Sequence, residues 1–193
     1  MKKIVLAIDI MGGDFGPKTT IEGVALASEA YPNVKFVLFG DKKKSENELK
    51  SIANLKNYEF IHTSESISST DQPVNALRKL KNSSMRLGIN SVKLNECDGL
   101  VSAGNTGALM AISKFVLKTI KAIDRPAIAA LMPTMKGQTV ILDLGANVEC
   151  SSENLVQFAI MGDMFSRSVL GIKNPKLGLL NVGSEQIKGN TVV

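Results

Sequence analysis

The sequence has no tryptophan, and its seven phenylalanines and two tyrosines amount to 5% of 193 residues. The core therefore has to be built from Val, Ile, Leu, Ala and Met. Two cysteines, Cys97 and Cys150, are too few for a disulfide framework and suit a reducing compartment. Since His62 is the single histidine, a Ser-His-Asp triad would depend on it entirely, which disfavours hydrolases of that class.

Long hydrophobic runs are also missing from the sequence. Residues 127–132 form one of the longest, far short of the roughly 18 residues of a membrane span. The amino-terminal apolar stretch reaches Asp9 too soon for a signal peptide, which predicts a cytoplasmic protein that starts with a strand. The net charge of +5 favours an anionic partner such as phosphate, an acidic protein or an anionic membrane surface, without indicating nucleic acid.

Short apolar runs alternate with helical patterns along the whole chain, which predicts a three-layer α/β/α domain with a mostly parallel sheet. The length fits one domain over 1–193. The predicted strands cover 3–9, 34–39, 58–62, 99–102, 126–132, 138–144 and 177–182. The predicted helices cover 17–31, 41–55, 74–81, 85–95, 108–120 and 153–170.

Finer features follow from the same pattern. Residues 135–137 could join two strands as a hairpin, and Ser45 with Glu48 fits a capping box. The polar stretch 63–72 is the best candidate for a mobile surface loop. A helix is expected after the strand at 177–182, so we expect the chain to be incomplete at its carboxyl end.

Four predicted strands run into polar loops that contain glycine: 9–17, 102–107, 143–149 and 181–190. If the strands are parallel, these loops emerge at one edge of the sheet, where open α/β sheets bind ligands. Glycines let a ligand approach the backbone, and amides at helix starts bind anions. The segment Gly104–Gly107 fits a helix cap and a phosphate cradle equally well.

Other chemistry is less favoured by the residues. Carboxylates at strand ends (Asp9, Asp14, Asp143, Glu149) could bind a metal ion, but loop capping is the favoured interpretation, and we expect no metal or cofactor. Neither a Walker motif nor a dinucleotide fingerprint is present. Cys150 is more typical of a small inert core residue than of a nucleophile. Lys188 could meet a phosphate, although composition alone favours a solvated lysine.

Six blocks of the sequence resemble the bacterial phosphate acyltransferase (PlsX) family. They keep their order across nearly the whole chain: 8–14 with Pro17-Lys18, 81–85, 102–108, 124–127, 143–147, and 179–185 with Lys188-Gly189-Asn190. The family's proteins are longer, so the chain matches only their amino-terminal part. The resemblance implies a fold similar to that of isocitrate and isopropylmalate dehydrogenases and of phosphate acetyltransferase.

The same resemblance implies an enzyme that moves a fatty acyl group from acyl carrier protein to inorganic phosphate. The product, acyl phosphate, is the acyl donor for the first acylation of glycerol 3-phosphate in phospholipid synthesis. It also implies a homodimer and peripheral membrane association through the carboxyl-terminal part. The alternatives are a phosphate acetyltransferase or a decarboxylating dehydrogenase on the same fold, or a binding module for phosphate or carrier protein without turnover.

The chemistry suggests roles for individual residues, because phosphate is itself the nucleophile and a thioester is already activated. We expect phosphate or thioester binding by Ser102, Gly104, Asn105 and Thr106. Lys188 is expected to orient phosphate and offset developing charge, with Asn190 as a second donor. The cleft would be shaped by Asp9, Gly12, Gly13, Asp143, Gly145 and Asn147. Arg125 precedes a strand and is expected at the opposite edge, in a structural role.

Overall fold

The computed structural model describes residues 3–145, 147, 149–181 and 183. The chain divides into two compact units, Met1–Lys118 and Thr119–Val193. Each unit is described by itself below, and the single domain expected over 1–193 stays a prediction.

The first unit alternates strands and helices as the sequence pattern predicts. Its strands are β1 (Ile4–Asp9), β2 (Val34–Gly40), β3 (Tyr58–His62) and β4 (Gly99–Ser102). Its helices are α1 (Pro17–Ala30), α2 (Glu46–Ser51), α3 (Pro73–Lys79), α4 (Ser84–Lys93) and α5 (Thr106–Leu117). Pro17 and Pro73 each stand in a first helical turn, where the missing N–H is not needed.

The four strands form one parallel sheet in the order β3-β2-β1-β4. The strand order reverses beside β1, because the chain moves from β1 to β2 and β3 on one side and returns to β4 on the other. Asp9 and Ser102, the last residues of β1 and β4, are register partners. In open α/β sheets, the crevice beyond such a reversal is where ligands bind.

Helices cover both faces of this sheet. On one face, Ile21 and Val24 of α1 and Ile52 pack against β1 and β2, where Leu38 is fully buried. On the other face, α4 packs through Leu87 and Val92 against Ala7, Val37, Phe39 and Cys97. A third cluster joins α3, α4 and α5 and contains Met85, Ile89 and Ile112. The sheet, packed on both faces, thus supports the loops at its carboxyl edge.

The second unit contains an antiparallel hairpin and a long helix. The hairpin strands are β5 (Ala129–Thr134) and β6 (Gly137–Leu142), which pair from Ala129↔Leu142 to Thr134↔Gly137. The predicted hairpin is therefore confirmed, with strands that begin and end a few residues from the predicted bounds. Helix α6 (Ser152–Leu170) begins with a capping box between Ser151 and Asn154, and its αL C-cap is Gly171.

Two predictions of elements are wrong in part. The helix expected over 41–55 is confined to α2, because the Asp41 side chain accepts the amides of Lys43 and Lys44 and holds a turn there. The Ser45 hydroxyl donates to the Asp41 carbonyl at 2.8 Å, so the predicted capping box with Glu48 does not form. Of the strand expected over 177–182, residues 177–181 show no strand, and Val182 lies outside the described residues.

Candidate active site

Two loops meet where the strand order reverses. The loop after β1 carries Gly12 and Gly13, and the loop after β4 carries Gly104 and Asn105. Both strands end at the same edge because they are parallel, as the sequence predicts for these two loops.

The Asp9 carboxylate is the centre of this arrangement and is 2% exposed. One of its oxygens accepts a hydrogen bond from the Ser84 hydroxyl at 2.5 Å and another from the Met11 amide at 3.2 Å. The other oxygen accepts the Ser102 hydroxyl at 2.7 Å. The Ser102 oxygen in turn accepts the Gly104 amide at 3.1 Å. A buried carboxylate is stable when such donors surround it, and this one ties β1, α4 and β4 together.

Glycine at position 12 is required by the close approach of the two loops. A Cβ atom at Gly12 would lie 2.7 Å from the Gly104 nitrogen and 2.9 Å from an Asp9 carboxylate oxygen. Gly13 has a φ of 89°, and a Cβ there would lie 3.2 Å from the Ala103 Cβ. The backbones are therefore in direct contact, which fits the expected role of Gly12 and Gly13 in shaping the site.

The Asn105 side chain has two structural tasks. Its oxygen caps α5 by accepting the Ala108 amide at 2.9 Å. Its nitrogen donates to the carbonyls of Ser68 and Ser69 at 3.2 Å and of Asp71 at 2.9 Å. The cap interpretation of Gly104–Gly107 is thus confirmed for Asn105.

Thr106 is the first residue of α5 and is exposed. The first-turn amides of a helix point outward without intrahelical partners and attract anions. Of the four residues expected to bind phosphate or thioester, Ser102, Gly104 and Asn105 use polar atoms in bonds within the protein, whereas Thr106 presents an exposed helix start. Their role as ligands stays a prediction.

The polar stretch 63–72, which we call the strap, is anchored along its length. The Thr63 hydroxyl donates to the Asn82 carbonyl at 2.5 Å, and a Glu65 carboxylate oxygen accepts the Asn82 amide at 3.1 Å. Ile67 is 7% exposed and joins the cluster of α3, α4 and α5. Asn105 holds its far end, so the strap lies beside the start of α5.

Sequence reasoning assigned no function to Ser84 or to the strap. A sequence signal for them exists, because Ser84, and Asn82 to which the strap is bonded, both belong to the 81–85 block that carries the family resemblance. Ser83 caps α4 by accepting the Arg86 amide, which places Ser84 in the first turn and beneath Asp9. Only the folded chain shows what these residues touch.

The loop after β6 resembles the Asp9 site in composition but is built from local contacts. Asp143, with a φ of 63°, accepts the Asn147 amide at 3.2 Å and the Asn147 side-chain nitrogen at 3.0 Å on one oxygen. That nitrogen also donates to the Pro126 carbonyl at 3.2 Å. Gly145 has a φ of 80°, which favours glycine. Since β6 belongs to an antiparallel sheet, the parallel-edge argument does not extend to this loop.

Arg125 and Cys150 lie next to the same loop. The prediction that Arg125 sits at the opposite edge is wrong, because β5 starts where its antiparallel partner β6 ends, and Arg125 donates to the Glu149 carbonyl at 3.0 Å. The Cys150 thiol donates to Asp143 at 3.6 Å. Burial raises the pKa of this thiol, the Asp143 carboxylate raises it further, and Arg125 acts in the opposite direction.

The remaining candidates add little chemistry. His62 accepts the Lys42 amide on its ring nitrogen at 3.2 Å, at the end of the edge strand β3. Within the described residues, no group of three or more His, Cys, Asp or Glu side chains could hold a metal ion. In the same part of the chain, no helix is long and apolar enough to cross a bilayer. Lys188 and Asn190 lie outside the described residues.

Comparison with known proteins connects this site to a family. A family model described as fatty acid synthesis protein matches residues 4–193. The chain is 50% identical over 191 residues to a phosphate acyltransferase of Paramagnetospirillum magneticum, an alignment that covers 98% of this chain and 54% of that protein. A phosphate acyltransferase of Aeromonas salmonicida is 47% identical over 196 residues, which is 100% of this chain and 58% of that protein. The chain thus spans about half the length of the curated relatives it matches.

Proposed function

The chain belongs to the fatty acid synthesis protein family, and from this membership we propose that the protein transfers a fatty acyl group from acyl carrier protein to inorganic phosphate. The product is acyl phosphate, a donor for phospholipid synthesis. The observation that carries the proposal is the near 50% identity, over almost the whole chain, to relatives named phosphate acyltransferase.

The reaction needs no nucleophile from the protein. A phosphate oxygen attacks the thioester carbon, a tetrahedral oxyanion forms, and the carbon–sulfur bond breaks as the thiolate of the carrier leaves and takes up a proton. The side chains fit such a direct transfer, because Cys97 is 5% exposed and Cys150 has a raised pKa that disfavours its thiolate. The site has to supply proximity and stabilisation of charge.

We place phosphate at the first turn of α5, against the amides and the Thr106 hydroxyl. The helix dipole favours an anion there. The Asp9 carboxylate lies beneath the glycine loops with its oxygens bonded to Ser84, Ser102 and Met11, so its charge is stabilised within the protein. Asp9 shapes the site together with Gly12 and Gly13. Because its own donors are Ser84, Ser102 and Met11, it does not compete with phosphate for the amides of α5.

Residues outside this cluster complete the proposal. Lys188 orients phosphate and offsets charge in the transition state, and Asn190 is a second donor. In the second unit, Asp143, Gly145 and Asn147 shape the loop after β6. The overall fold is similar to that of isocitrate and isopropylmalate dehydrogenases, and the protein acts as a cytoplasmic homodimer that associates peripherally with the membrane.

The test is the activity of Lys188 variants in the native full-length protein. Lys188→Ala is expected to lower acyl-phosphate formation roughly ten- to a thousandfold, because the ammonium acts more strongly in the transition state than in binding. Lys188→Arg is expected to rescue poorly, since a planar fork cannot copy a compact ammonium. The assay uses acyl carrier protein loaded with palmitate and measures acyl phosphate together with the thermal midpoint.

Lys50→Ala is the matched control, because Lys50 lies on α2 with its ammonium exposed and 3.0 Å from Glu46. It is expected to leave turnover unchanged. Near-normal turnover of Lys188→Ala would contradict the role of Lys188 in catalysis and favour the alternative of a solvated lysine. Turnover of acetyl thioesters but not of palmitoyl carrier protein would instead favour a phosphate acetyltransferase.

A further inference from the structure

Asn105 makes more contacts than a helix cap requires. One side-chain oxygen is enough to cap α5, and Asn105 uses it on the Ala108 amide. Its side-chain nitrogen donates hydrogen bonds to the carbonyls of residues 34 to 37 positions earlier in the chain. Serine and aspartate cap helices as well as asparagine does, but neither offers that nitrogen.

The three carbonyls that Asn105 reaches all belong to one turn of the strap. The Ser68 amide donates to the Asp71 carboxylate at 2.8 Å, and the Ser68 and Thr70 hydroxyls are 3.0 Å apart. This turn holds the carbonyls of Ser68, Ser69 and Asp71 so that one amide group can bind them all.

The residue that follows the strap, Pro73 at the start of α3, lies directly against the start of α5. Gly107 is the second residue of that helix, and a Cβ atom there would lie 2.8 Å from the Pro73 ring. Ser68, Ser69 and Thr70 are exposed, as is Thr106. Through Asn105 and the adjoining Pro73, the strap is held as a wall beside the helix turn at which the proposed function places phosphate.

We propose that Asn105 is a positioning residue, which clamps the strap against the amino terminus of α5 and acts on phosphate only through that wall. This inference rests on the proposed function for its effect on turnover, but the clamp itself is a property of the fold. A direct ligand would need a free amide nitrogen, whereas this nitrogen already serves three carbonyls.

The first test is amide hydrogen exchange in the native full-length protein, which requires no activity. Asn105→Ser keeps a good cap and removes the clamp, so exchange of the amides in 66–72 is expected to rise at least about tenfold while the first turn of α5 keeps its protection. Asp71→Ala opens the turn from the other side and is expected to have the same effect. Ser69→Ala, which keeps the carbonyl, is the exchange control.

The second test separates positioning from direct binding by kinetics. Asn105→Ser is expected to lower kcat about tenfold or more while the KM for phosphate changes less than about threefold, because a displaced wall impairs alignment more than ground-state binding. The double variant with Asp71→Ala is expected to be no worse than the more impaired single variant, because both changes release the same strap.

Two results would overturn the clamp. One is unchanged exchange over 66–72 in Asn105→Ser. The other is a rise of tenfold or more in the KM for phosphate with kcat retained, which marks Asn105 as a direct ligand. Absence of acyl phosphate from the unmodified protein would refute the proposed function instead, and the exchange experiment would still decide whether Asn105 clamps the strap.

Discussion

Two aspartates at strand ends, Asp9 and Asp143, have similar surroundings in sequence and different ones in space. Each precedes a loop with glycine, and each receives hydrogen bonds on both carboxylate oxygens. Asp9 is bonded to Ser84 and Ser102, 75 and 93 positions away, whereas the partners of Asp143 lie four and seven positions away. One carboxylate joins two strands of the parallel sheet to a helix that covers it, and the other organises its own turn.

This difference shows which of the two loops depends on the whole fold. A local turn re-forms whenever the backbone is near its native conformation, while a long-range tie exists only when the sheet and α4 are assembled. Substitutions at the Asp9 site are therefore expected to affect the free energy of unfolding more than matched substitutions at the Asp143 loop.

The largest effect is expected for Asp9→Asn compared with Asp143→Asn. In Asp9→Asn, an NH₂ group replaces one of the two carboxylate oxygens that accept the hydroxyl hydrogens of Ser84 and Ser102. Hydrogen bonds to charged groups contribute about 1.5–3 kcal/mol. We expect Asp9→Asn to lower the free energy of unfolding by about 2–3 kcal/mol. Asp143→Asn keeps an oxygen for Asn147 and tolerates the positive φ, so a loss within about 0.5 kcal/mol is expected.

Urea unfolding followed by circular dichroism measures both Asn variants. Asp9→Ser and Asp143→Ser, which remove the carboxylate and keep a polar group, are the second pair. Equal losses for the two aspartates would contradict the contrast between a long-range tie and a local turn.

A smaller effect is expected for Gly12→Ala compared with Gly145→Ala. The new methyl at position 12 would meet the Gly104 backbone and Asp9, so the two loops have to separate, at a cost of about 1–3 kcal/mol. Among the described residues, nothing lies within 4 Å of a Cβ at Gly145, so Gly145→Ala bears only the strain of its positive φ, about 1 kcal/mol. Thermal midpoints of the two variants, measured side by side, test this prediction. A larger drop in midpoint for Gly145→Ala than for Gly12→Ala would contradict the tighter packing at Gly12.

The smallest effect concerns the reactivity of Cys150. Its pKa is raised by burial and then by Asp143, so Asp143→Asn lowers that pKa and increases the thiolate fraction at pH 8. Alkylation by iodoacetamide is expected to become about two- to fivefold faster. Arg125→Ala removes the influence that lowers the pKa and is expected to slow the reaction. Mass spectrometry of the Cys150 peptide measures the rate, with buried Cys97 as internal control, and slower alkylation of Asp143→Asn would refute the charge effect.

The sequence predicts the bounds of most strands and helices better than it predicts which of them pair or make contact. The strands of the parallel sheet stand close to their predicted bounds, because apolar runs between turn signals are local features. The helix predicted over 41–55 is longer than the observed α2, since charge and periodicity do not reveal that the Asp41 side chain holds a turn. The predicted position of Arg125 is wrong for a related reason, because that position depends on the antiparallel pairing of β5 with β6.

The same division applies to the candidate site. Sequence motifs identified the loops after β1 and β4, and the glycines at positions 12 and 13. They could not show that Ser102 and Gly104 are bonded within the protein, or that Ser84 lies beneath Asp9. These contacts join residues more than 70 positions apart or depend on hydroxyl direction, which a linear pattern does not encode.

The alternation of strands and helices in the first unit and the family membership follow from the sequence alone, because periodicity, turn residues and motif blocks are local features. Three features become visible only in the folded chain: the reversal of strand order beside β1, the bonding of Asp9 to α4 and β4, and the hold of Asn105 on the strap. Each of these depends on which distant backbone segments approach within hydrogen-bond distance, and that is set by packing of the whole sheet and its helices.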